Sequence, residues 1–223
     1  MYSFFFIIFF IIFFIIFFIK EKKIIFDIDN DKHILNKYSQ FLGFGDNIEN
    51  AIALLNDVKN ILEEFKIKYF IISGTLLGYM RHKSFIPWDD DIDILIDKKI
   101  INVIPEINKK YGDKLSFLFF KNHHYKAYYN DAIDIKNYEH KWPFIDMFLF
   151  TEYDKKINFF HKDWEKINFF PTKEINFHDI AIKIPNNPDY FLSITYGKDY
   201  MKKCHVSTYS HKKEKNIKLK KFY

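Results

Sequence analysis

The chain has very little cysteine. Its 223 residues include a single cysteine, Cys204, and no Asn-x-Ser/Thr sequence. One cysteine excludes an intrachain disulfide and any zinc site built on several thiolates. Both absences argue weakly against a domain in the lumen of the secretory pathway. A chain of this length suits one domain with a buried core and is short for two.

A strong net charge is also lacking. The 34 basic and 29 acidic side chains leave a formal net charge of +5 at pH 7. Phe, Ile, Lys, Asn and Tyr are all abundant, and A+T-rich codons favour these residues, so the lysine content is poor evidence for nucleic-acid binding. We therefore expect no nucleic-acid partner. The lysine-rich segment 201–223 keeps a nucleic-acid-binding protein open as one alternative.

The N-terminal segment 4–19 contains no charged side chain and reads FFFIIFFIIFFIIFFI. With the two preceding residues it would span about 27 Å as a helix, against about 30 Å of membrane hydrocarbon. A charged run follows at once, which favours a membrane span over a buried strand. The pattern predicts a single transmembrane helix within residues 1–19, with an aggregation-prone tail as the alternative. The lysines after the span place the remainder on the cytoplasmic side by the positive-inside rule.

The remaining chain alternates between helix and strand patterns. Residues 20–45 are predicted to be a stem or linker, 46–200 a folded domain and 201–223 a basic tail. Helices are predicted from Asp46, after a capping pattern, to about residue 66, over 76–82, and from Pro188 to Gly197. Apolar or alternating runs predict strands at 67–73, 91–96, 115–120, 125–129 and 144–150. This order predicts an α+β domain rather than a doubly wound sheet.

Acidic residues are concentrated at the end of segment 73–93, SGTLLGYMRHKSFIPWDDDID. On an extended strand Asp89, Asp91 and Asp93 point to one face at about 6.6 Å spacing, while Asp90 points to the other. At an effective dielectric of about 20, each neighbouring pair repels by about 2.5 kcal/mol. We infer a compensating cation, and carboxylate oxygens suit Mg²⁺ or Mn²⁺. A solvated acidic turn is the alternative.

Other residues offer phosphate contacts or a further carboxylate. Gly74 and Thr75 lie at a predicted strand-to-helix junction, where a phosphate can approach backbone N–H groups, although most such junctions are plain turns. Arg81 and Lys83 follow as cationic donors to phosphate or as a solvated helix end. Asp146 lies in an apolar predicted strand and requires a partner or a metal unless it faces solvent at a sheet edge.

The string GTLLGYMRHKSFIPWDDDIDI, at residues 74–94, resembles the LicD/fukutin-related family. That family includes bacterial phosphocholine transferases and ribitol-phosphate transferases. The resemblance implies a nucleotidyltransferase-like mixed sheet flanked by helices, a Mg²⁺ or Mn²⁺ ion on Asp89, Asp91 and Asp93, and catalytic roles for Asp91, Asp93 and Asp146. The predicted donor-site residues are Gly74, Thr75, Arg81, Lys83, Trp88 and Asp90.

The activity implied by this resemblance is transfer of a phospho-alcohol. The donor would be a cytidine-diphosphate-linked alcohol, and the acceptor a hydroxyl of a glycan or glycolipid. A nucleotidyltransferase that uses a nucleoside triphosphate would need the same carboxylates, and a non-catalytic membrane scaffold is a second alternative. The eukaryotic relatives face the Golgi lumen, so both membrane orientations stay open. The zinc-binding insertion of the fukutin-related proteins cannot be built here with one cysteine.

Overall fold

The computed structural model describes residues 24–27, 43–121, 123–206 and 209–217. The predicted transmembrane helix within 1–19 lies outside these residues, as does most of the predicted stem at 20–45. Within the described ranges, no helix combines the length and the apolar character that a membrane crossing requires.

The described part of the chain contains four α-helices and thirteen β-strands. The helices are α1 (Ile48–Glu64), α2 (Ser73–His82), α3 (Ile100–Tyr111) and α4 (Pro188–Tyr196). The strands are β1 (Ile24–Asp27), β2 (Tyr69–Ile71), β3 (Ile92–Asp97), β4 (Leu115–Phe120), β5 (His124–Asp134), β6 (Lys141–Tyr153), β7 (Lys156–Phe159), β8 (Lys162–Glu165), β9 (Lys173–Phe177), β10 (Ile180–Ile184), β11 (Lys203–Val206), β12 (Tyr209–Ser210) and β13 (Lys215–Asn216). Short 3₁₀ turns occupy Gly45–Asn47 and Lys166–Asn168.

The main sheet has seven strands in the order β2–β3–β6–β5–β4, and β6 continues through β7 to β8. β3 and β6 are parallel, whereas the other neighbouring pairs are antiparallel. Three two-stranded pairs are formed by β9 with β10, β1 with β11, and β12 with β13. The predicted α+β class with a mixed sheet is confirmed.

The central strands are buried because their side chains are apolar on both faces. Ile92, Ile94, Leu95 and Ile96 of β3 are at most 1% exposed. Helix α1 contributes a buried stripe at helical spacing, namely Ala51, Leu54, Leu55, Val58, Ile61 and Leu62. Burial of a large apolar side chain contributes about 1.5–3 kcal/mol. A carboxylate placed in this sheet therefore needs specific partners.

The ends of the helices follow partly from local sequence. Asn187 caps α4, with its side chain accepting a hydrogen bond from Tyr190 N at 3.3 Å, and Gly197 ends the helix at φ +94°. The capping pattern predicted from Asp46 is not formed, because α1 begins at Ile48 and its N-cap side chain makes no capping bond. Helix α2 begins three residues earlier than predicted, at Ser73.

The segment after residue 200 packs against the domain. β11 pairs with β1, and the β12–β13 hairpin lies beside the acidic segment that precedes β3. Residues 201–223 were predicted to be a basic tail. In the structure Lys203 O accepts a hydrogen bond from Arg81 of α2, and Ser210 donates to Asp90 before β3.

Candidate active site

The acidic end of β3 is bound to the start of helix α2. The N–H of Gly74 donates to Asp93 Oδ2 at 2.9 Å, and the Thr75 hydroxyl accepts from Asp93 N at 2.8 Å. A Cβ added to Gly74 would lie 2.5 Å from Asp89 Oδ2 and 3.3 Å from Asp93 Oδ2. Glycine is therefore needed at position 74 so that the Asp89 and Asp93 carboxylates can approach the backbone. Gly74 and Thr75 were predicted to contact a phosphate, and in this structure they position Asp93.

A row of charged side chains crosses three strands at the same level. Asp93 of β3 is the register partner of Asp146 of β6, and Asp146 is the register partner of Lys126 of β5. Register partners point to the same face of a sheet. This pairing brings the predicted lone carboxylate, Asp146, beside the acidic cluster.

Asp146 is held as an anion by two neighbours. Its Oδ1 lies 2.7 Å from Lys126 Nζ and 2.9 Å from His124 Nε2. Burial raises the pKa of Asp146, but the His124 hydrogen bond and the Lys126 charge outweigh it, and the pKa lies below its usual value. Lys126 is itself buried, lies over the Phe144 ring at 3.5 Å and approaches Glu214 at 3.8 Å. Asp146 is thus suited to remain ionised rather than to take up a proton.

Asp89, Asp91 and Asp93 lie close enough to repel one another, although only Asp93 belongs to β3 and the other two precede it. Burial, followed by the charges of Asp91 and neighbouring carboxylates, raises the pKa of Asp89 and of Asp93 well above the usual value. Burial also raises the pKa of Asp91, although the charge of His211 opposes the shift. Such repulsion among half-buried and buried acids is what a bound cation would relieve.

Asp90 points away from this cluster and binds the C-terminal segment. Its carboxylate accepts hydrogen bonds from the Ser210 hydroxyl and from the backbone N–H groups of His211 and Lys212, each at 3.0 Å. Its carbonyl oxygen accepts from Trp142 Nε1 at 2.6 Å. Asp90 was predicted to line the donor site, but the structure uses its side chain to anchor residues 210–212.

This anchoring brings a histidine to the carboxylates. Asp91, Asp146 and His211 each offer one ligand atom, and these atoms all lie within 4.8 Å of one another. The predicted metal set of Asp89, Asp91 and Asp93 shares Asp91 with this group. Carboxylate oxygens beside one imidazole form a donor set that fits a divalent cation. The side chains present therefore fit the predicted Mg²⁺ or Mn²⁺.

The predicted cationic and aromatic donor-site residues lie along α2 and the loop after it. Arg81 Nη1 donates to the carbonyls of Tyr200 and Lys203 at 3.0 and 3.2 Å, so this guanidinium nitrogen holds the chain after α4. Trp88 is 8% exposed and packs edge-on against His82, with ring centroids 5.5 Å apart. Lys83 ends α2 at φ 57° and is exposed.

Several residues of the site were not found by sequence reasoning. His124 and His140 were not among the predicted site residues, but His124 bonds Asp146 and His140 is fully buried, with Nε2 2.9 Å from Glu214 Oε1. Tyr196 also lies near the acids, since burial and the charges of Asp93, Asp89 and Asp91 raise its pKa. In the sequence, the Tyr196-Gly197 pair near the end of the domain was the one feature that could have indicated a role for Tyr196.

A metal-compatible carboxylate cluster at one end of a mixed sheet, next to a helix N-terminus, defines a candidate phosphate-handling site. The family model "LicD/FKTN/FKRP, nucleotidyltransferase domain" matches residues 66–187, more than half of the 223 residues. The chain belongs to this LicD/FKTN/FKRP family, as the resemblance at 74–94 predicted. Membership supports a transferase.

Curated relatives of this chain are bacterial. It is 28% identical to an uncharacterized protein of Rickettsia prowazekii over 60% of this chain and 49% of that protein. It is 32% identical to an uncharacterized protein of Rickettsia typhi over 60% and 41%. A 48-residue stretch is 53% identical to the lipopolysaccharide cholinephosphotransferase LicD of Haemophilus influenzae, covering 22% of this chain and 18% of that protein. The chain thus spans about half or less of the length of these relatives.

Two solved structures are distantly similar. One is the lincomycin-bound lincosamide antibiotic adenylyltransferase LnuA, with a TM-score of 0.40 and 16% identity over 60% of this chain and 78% of that chain. The other is an antigenic nucleotidyltransferase-like protein from Paracoccidioides brasiliensis, with a TM-score of 0.41 and 14% identity over 69% and 66%.

Proposed function

We propose that this chain is a metal-dependent transferase of phospho-alcohols. The group moved is of the phosphocholine or ribitol-phosphate type, the donor is a cytidine-diphosphate-linked alcohol, and the acceptor is a hydroxyl of a glycan or glycolipid. The observation that carries the proposal is the clustering of four acids within the family domain: Asp89 and Asp93 lie against Gly74 at the start of α2, Asp146 is the register partner of Asp93, and Asp91 lies beside Asp146. The cholinephosphotransferase that matches a 48-residue stretch supports the choice of donor class.

The chemistry is an in-line displacement at the distal phosphorus of the donor. The acceptor hydroxyl oxygen forms a bond to this phosphorus and its proton passes to bulk water, while the bond to the bridging oxygen breaks and cytidine monophosphate leaves with that electron pair. A divalent cation bound by the carboxylates would offset charge on the diphosphate oxygens. The residues themselves supply position: Gly74 N–H fixes Asp93, and Lys126 with His124 fixes Asp146.

The contacts of Asp146 support one of its two predicted roles. A general base is most effective when its pKa lies near the working pH. The pKa of Asp146 lies below its usual value because His124 and Lys126 outweigh the effect of burial. We therefore assign Asp146 to the metal site rather than to removal of the acceptor proton.

The proposal includes attachment of the protein to a membrane, where its acceptor would lie. The apolar segment 4–19 would attach the chain to a membrane, which suits glycan or glycolipid acceptors better than free small molecules. The orientation in that membrane follows either the positive-inside rule or the Golgi-lumenal arrangement of the eukaryotic relatives. A non-catalytic scaffold is disfavoured, because four crowded carboxylates are costly to keep without a cation.

The experiment that tests this proposal measures which leaving group the protein releases, cytidine monophosphate or pyrophosphate. Full-length protein in detergent is incubated with Mg²⁺ or Mn²⁺, a panel of glycan and glycolipid acceptors and, separately, cytidine-diphosphate-linked choline, ribitol and related alcohols, or each nucleoside triphosphate. We expect release of cytidine monophosphate from one donor of the first group, and loss of that release in Asp91→Asn. Robust pyrophosphate release from a triphosphate, with no cytidine monophosphate from any donor, would instead establish nucleotidyl transfer.

A further inference from the structure

His211 is the one nitrogen ligand in the candidate metal group Asp91, Asp146 and His211 found among the described residues. We infer that His211 binds the metal directly, and that the site therefore prefers a divalent transition ion, such as Mn²⁺, to Mg²⁺. This inference rests on the proposed function, because it concerns the metal of the same site. It adds a ligand from the C-terminal segment to a site otherwise built from carboxylates.

The distances suit ligands of one ion. His211 Nε2 lies 3.4 Å from Asp91 Oδ2, and the three ligand atoms lie within 4.8 Å of one another. Two ligands with bonds of about 2.1 Å to the same ion are at most about 4.2 Å apart. Binding therefore requires only a small closure of the group.

The position of the imidazole is set by its own segment. The N–H groups of His211 and Lys212 and the Ser210 hydroxyl all donate to Asp90. The ring packs edge-on against Phe144 and Tyr209, with centroids 5.9 and 5.2 Å away. A metal ligand held in this way by outer contacts is oriented before the ion arrives.

The other members of the group are arranged to receive an ion. Among the described residues, the hydrogen bonds to Asp146 from Lys126 and His124 both end on Oδ1, which leaves Oδ2 for a metal. Asp91 is 8% exposed, while the His211 side chain is 28% exposed. The imidazole is thus the accessible member of the group, through which an ion and a phosphate can enter.

A simple His211–Asp91 ion pair explains this geometry less well. An N–H···O hydrogen bond usually measures about 2.7–3.2 Å, and the observed separation of 3.4 Å is longer. Mg²⁺ takes oxygen ligands and keeps several waters, whereas imidazole suits transition ions. A nitrogen ligand beside two carboxylates therefore shifts the preference away from Mg²⁺.

The test is spectroscopic and needs no turnover. Full-length protein with ¹⁵N-labelled histidine is loaded with Mn²⁺ in the absence of donor, and pulsed electron paramagnetic resonance records nitrogen bound to the ion. We expect a directly bound nitrogen in the wild type, its loss in His211→Gln, and Mn²⁺ binding at least about tenfold weaker in that variant. Mg²⁺ binding, measured by competition, should change less.

Control variants separate His211 from other histidines. His161→Gln removes an exposed imidazole in the turn between β7 and β8 and should leave the spectrum unchanged. His124→Gln should retain the nitrogen signal, because His124 contacts Asp146 from the Lys126 side. If His211→Gln does not fold by circular dichroism, the labelled wild type still tests the inference, because Mn²⁺ bound through oxygen alone overturns it.

The outcomes distinguish this inference from the proposed function. Mn²⁺ bound through oxygen alone, or a nitrogen signal that persists in folded His211→Gln, overturns the inference even if cytidine monophosphate is released with Mg²⁺. Nitrogen-bound Mn²⁺ in a protein that releases no cytidine monophosphate supports the inference and refutes the transferase proposal. Absence of any Mn²⁺ binding overturns the inference, and the Mg²⁺ assay then judges the function separately.

Discussion

Replacing Gly74 with alanine should damage the site while sparing the fold. The new Cβ would lie 2.5 Å from Asp89 Oδ2, and ordinary contact begins at 3.4 Å, so the carboxylate must retreat by about 0.9 Å. The backbone of Gly74 does not adopt the left-handed conformation that alanine resists. A displacement of about 1 Å in an active site can cost about 100-fold in rate, equivalent to about 2.7 kcal/mol in the barrier.

The stability of Gly74→Ala should change much less than its activity. Overpacking costs about 1–3 kcal/mol, and alanine returns about 0.4–1 kcal/mol by restricting the unfolded chain. Because the atom that must move is the end of the Asp89 side chain, the low end of the overpacking range applies, and we expect a net loss of at most about 1 kcal/mol by urea denaturation. The activity assay is the initial rate of cytidine monophosphate release at saturating donor and metal. A folded variant with a rate within about threefold of the wild type would refute the claim that this glycine makes room for Asp89.

Gly78→Ala provides the matched control on the same helix. Its added Cβ would lie 2.6 Å from the Ser84 carbonyl oxygen and 3.0 Å from Ile86 N. Backbone atoms cannot retreat as a side chain can, so this change should cost about 3 kcal/mol of stability or more. Equal stabilities for the two variants would contradict the different surroundings assigned to the two glycines.

Three further predictions concern charge. In metal-free protein the pKa of Asp89 and of Asp93 is raised above 3.8, so stability from their protonation is present below that value and lost as pH rises through the folded pKa. His82 and His178 have lowered pKa values and act in the opposite direction, so the measure is the Tm difference between the wild type and Asp93→Asn in a chelator. This difference should move against the wild type from about pH 4 towards neutrality, and saturating Mn²⁺ should remove the trend; a constant difference without metal would contradict this. Lys126→Met leaves Asp146 buried without its cation and should cost about 3–5 kcal/mol in urea denaturation, whereas an unchanged midpoint would show the pair to be dispensable. Arg81→Lys removes the guanidinium whose Nη1 donates to the carbonyls of Tyr200 and Lys203 and should lower stability by about 1.5–3 kcal/mol, which an unchanged Tm would disprove.

The sheet was predictable where hydrophobic pattern and strand period agreed. The predicted strand at 115–120 coincides with β4, and those at 125–129 and 144–150 are cores of the longer β5 and β6. Helix α3 had no prediction, because Pro105 lies inside it and interrupts the helical signal. The strands β7 to β10 are four or five residues long and mix polar with apolar side chains, so short-range pattern does not distinguish them from loops.

The acidic half of the site was predictable from local chemistry. Alternation along a strand places Asp91 and Asp93 on one face, and the cost of burying Asp146 requires a nearby partner. The identity of that partner was not accessible, because Lys126 and His124 lie about twenty residues away on an adjacent strand. Antiparallel register, which depends on the whole sheet, decides which cation meets which carboxylate.

The part of the candidate site that the C-terminal segment supplies could not be inferred from the composition of that segment. Residues 201–223 are rich in lysine, and a lysine-rich stretch is ordinarily a solvated tail. What holds Ser210 to Lys212 in place is a single buried carboxylate 120 to 122 residues earlier. A contact between segments so far apart in the sequence leaves no local pattern, since neither the segment around Asp90 nor the segment around Ser210 indicates by itself that it binds the other.

The adjacent acids make two separate sets of contacts. Asp89 and Asp93 lie against Gly74 and Asp91 belongs to the candidate metal group, whereas Asp90 binds Ser210, His211 and Lys212. Because Asp90 lies between Asp89 and Asp91 in the backbone, displacement of the C-terminal segment must also disturb the carboxylates on either side. The position of His211 and the spacing of the acids are therefore mechanically linked, and the C-terminal segment belongs to the site rather than to its surroundings.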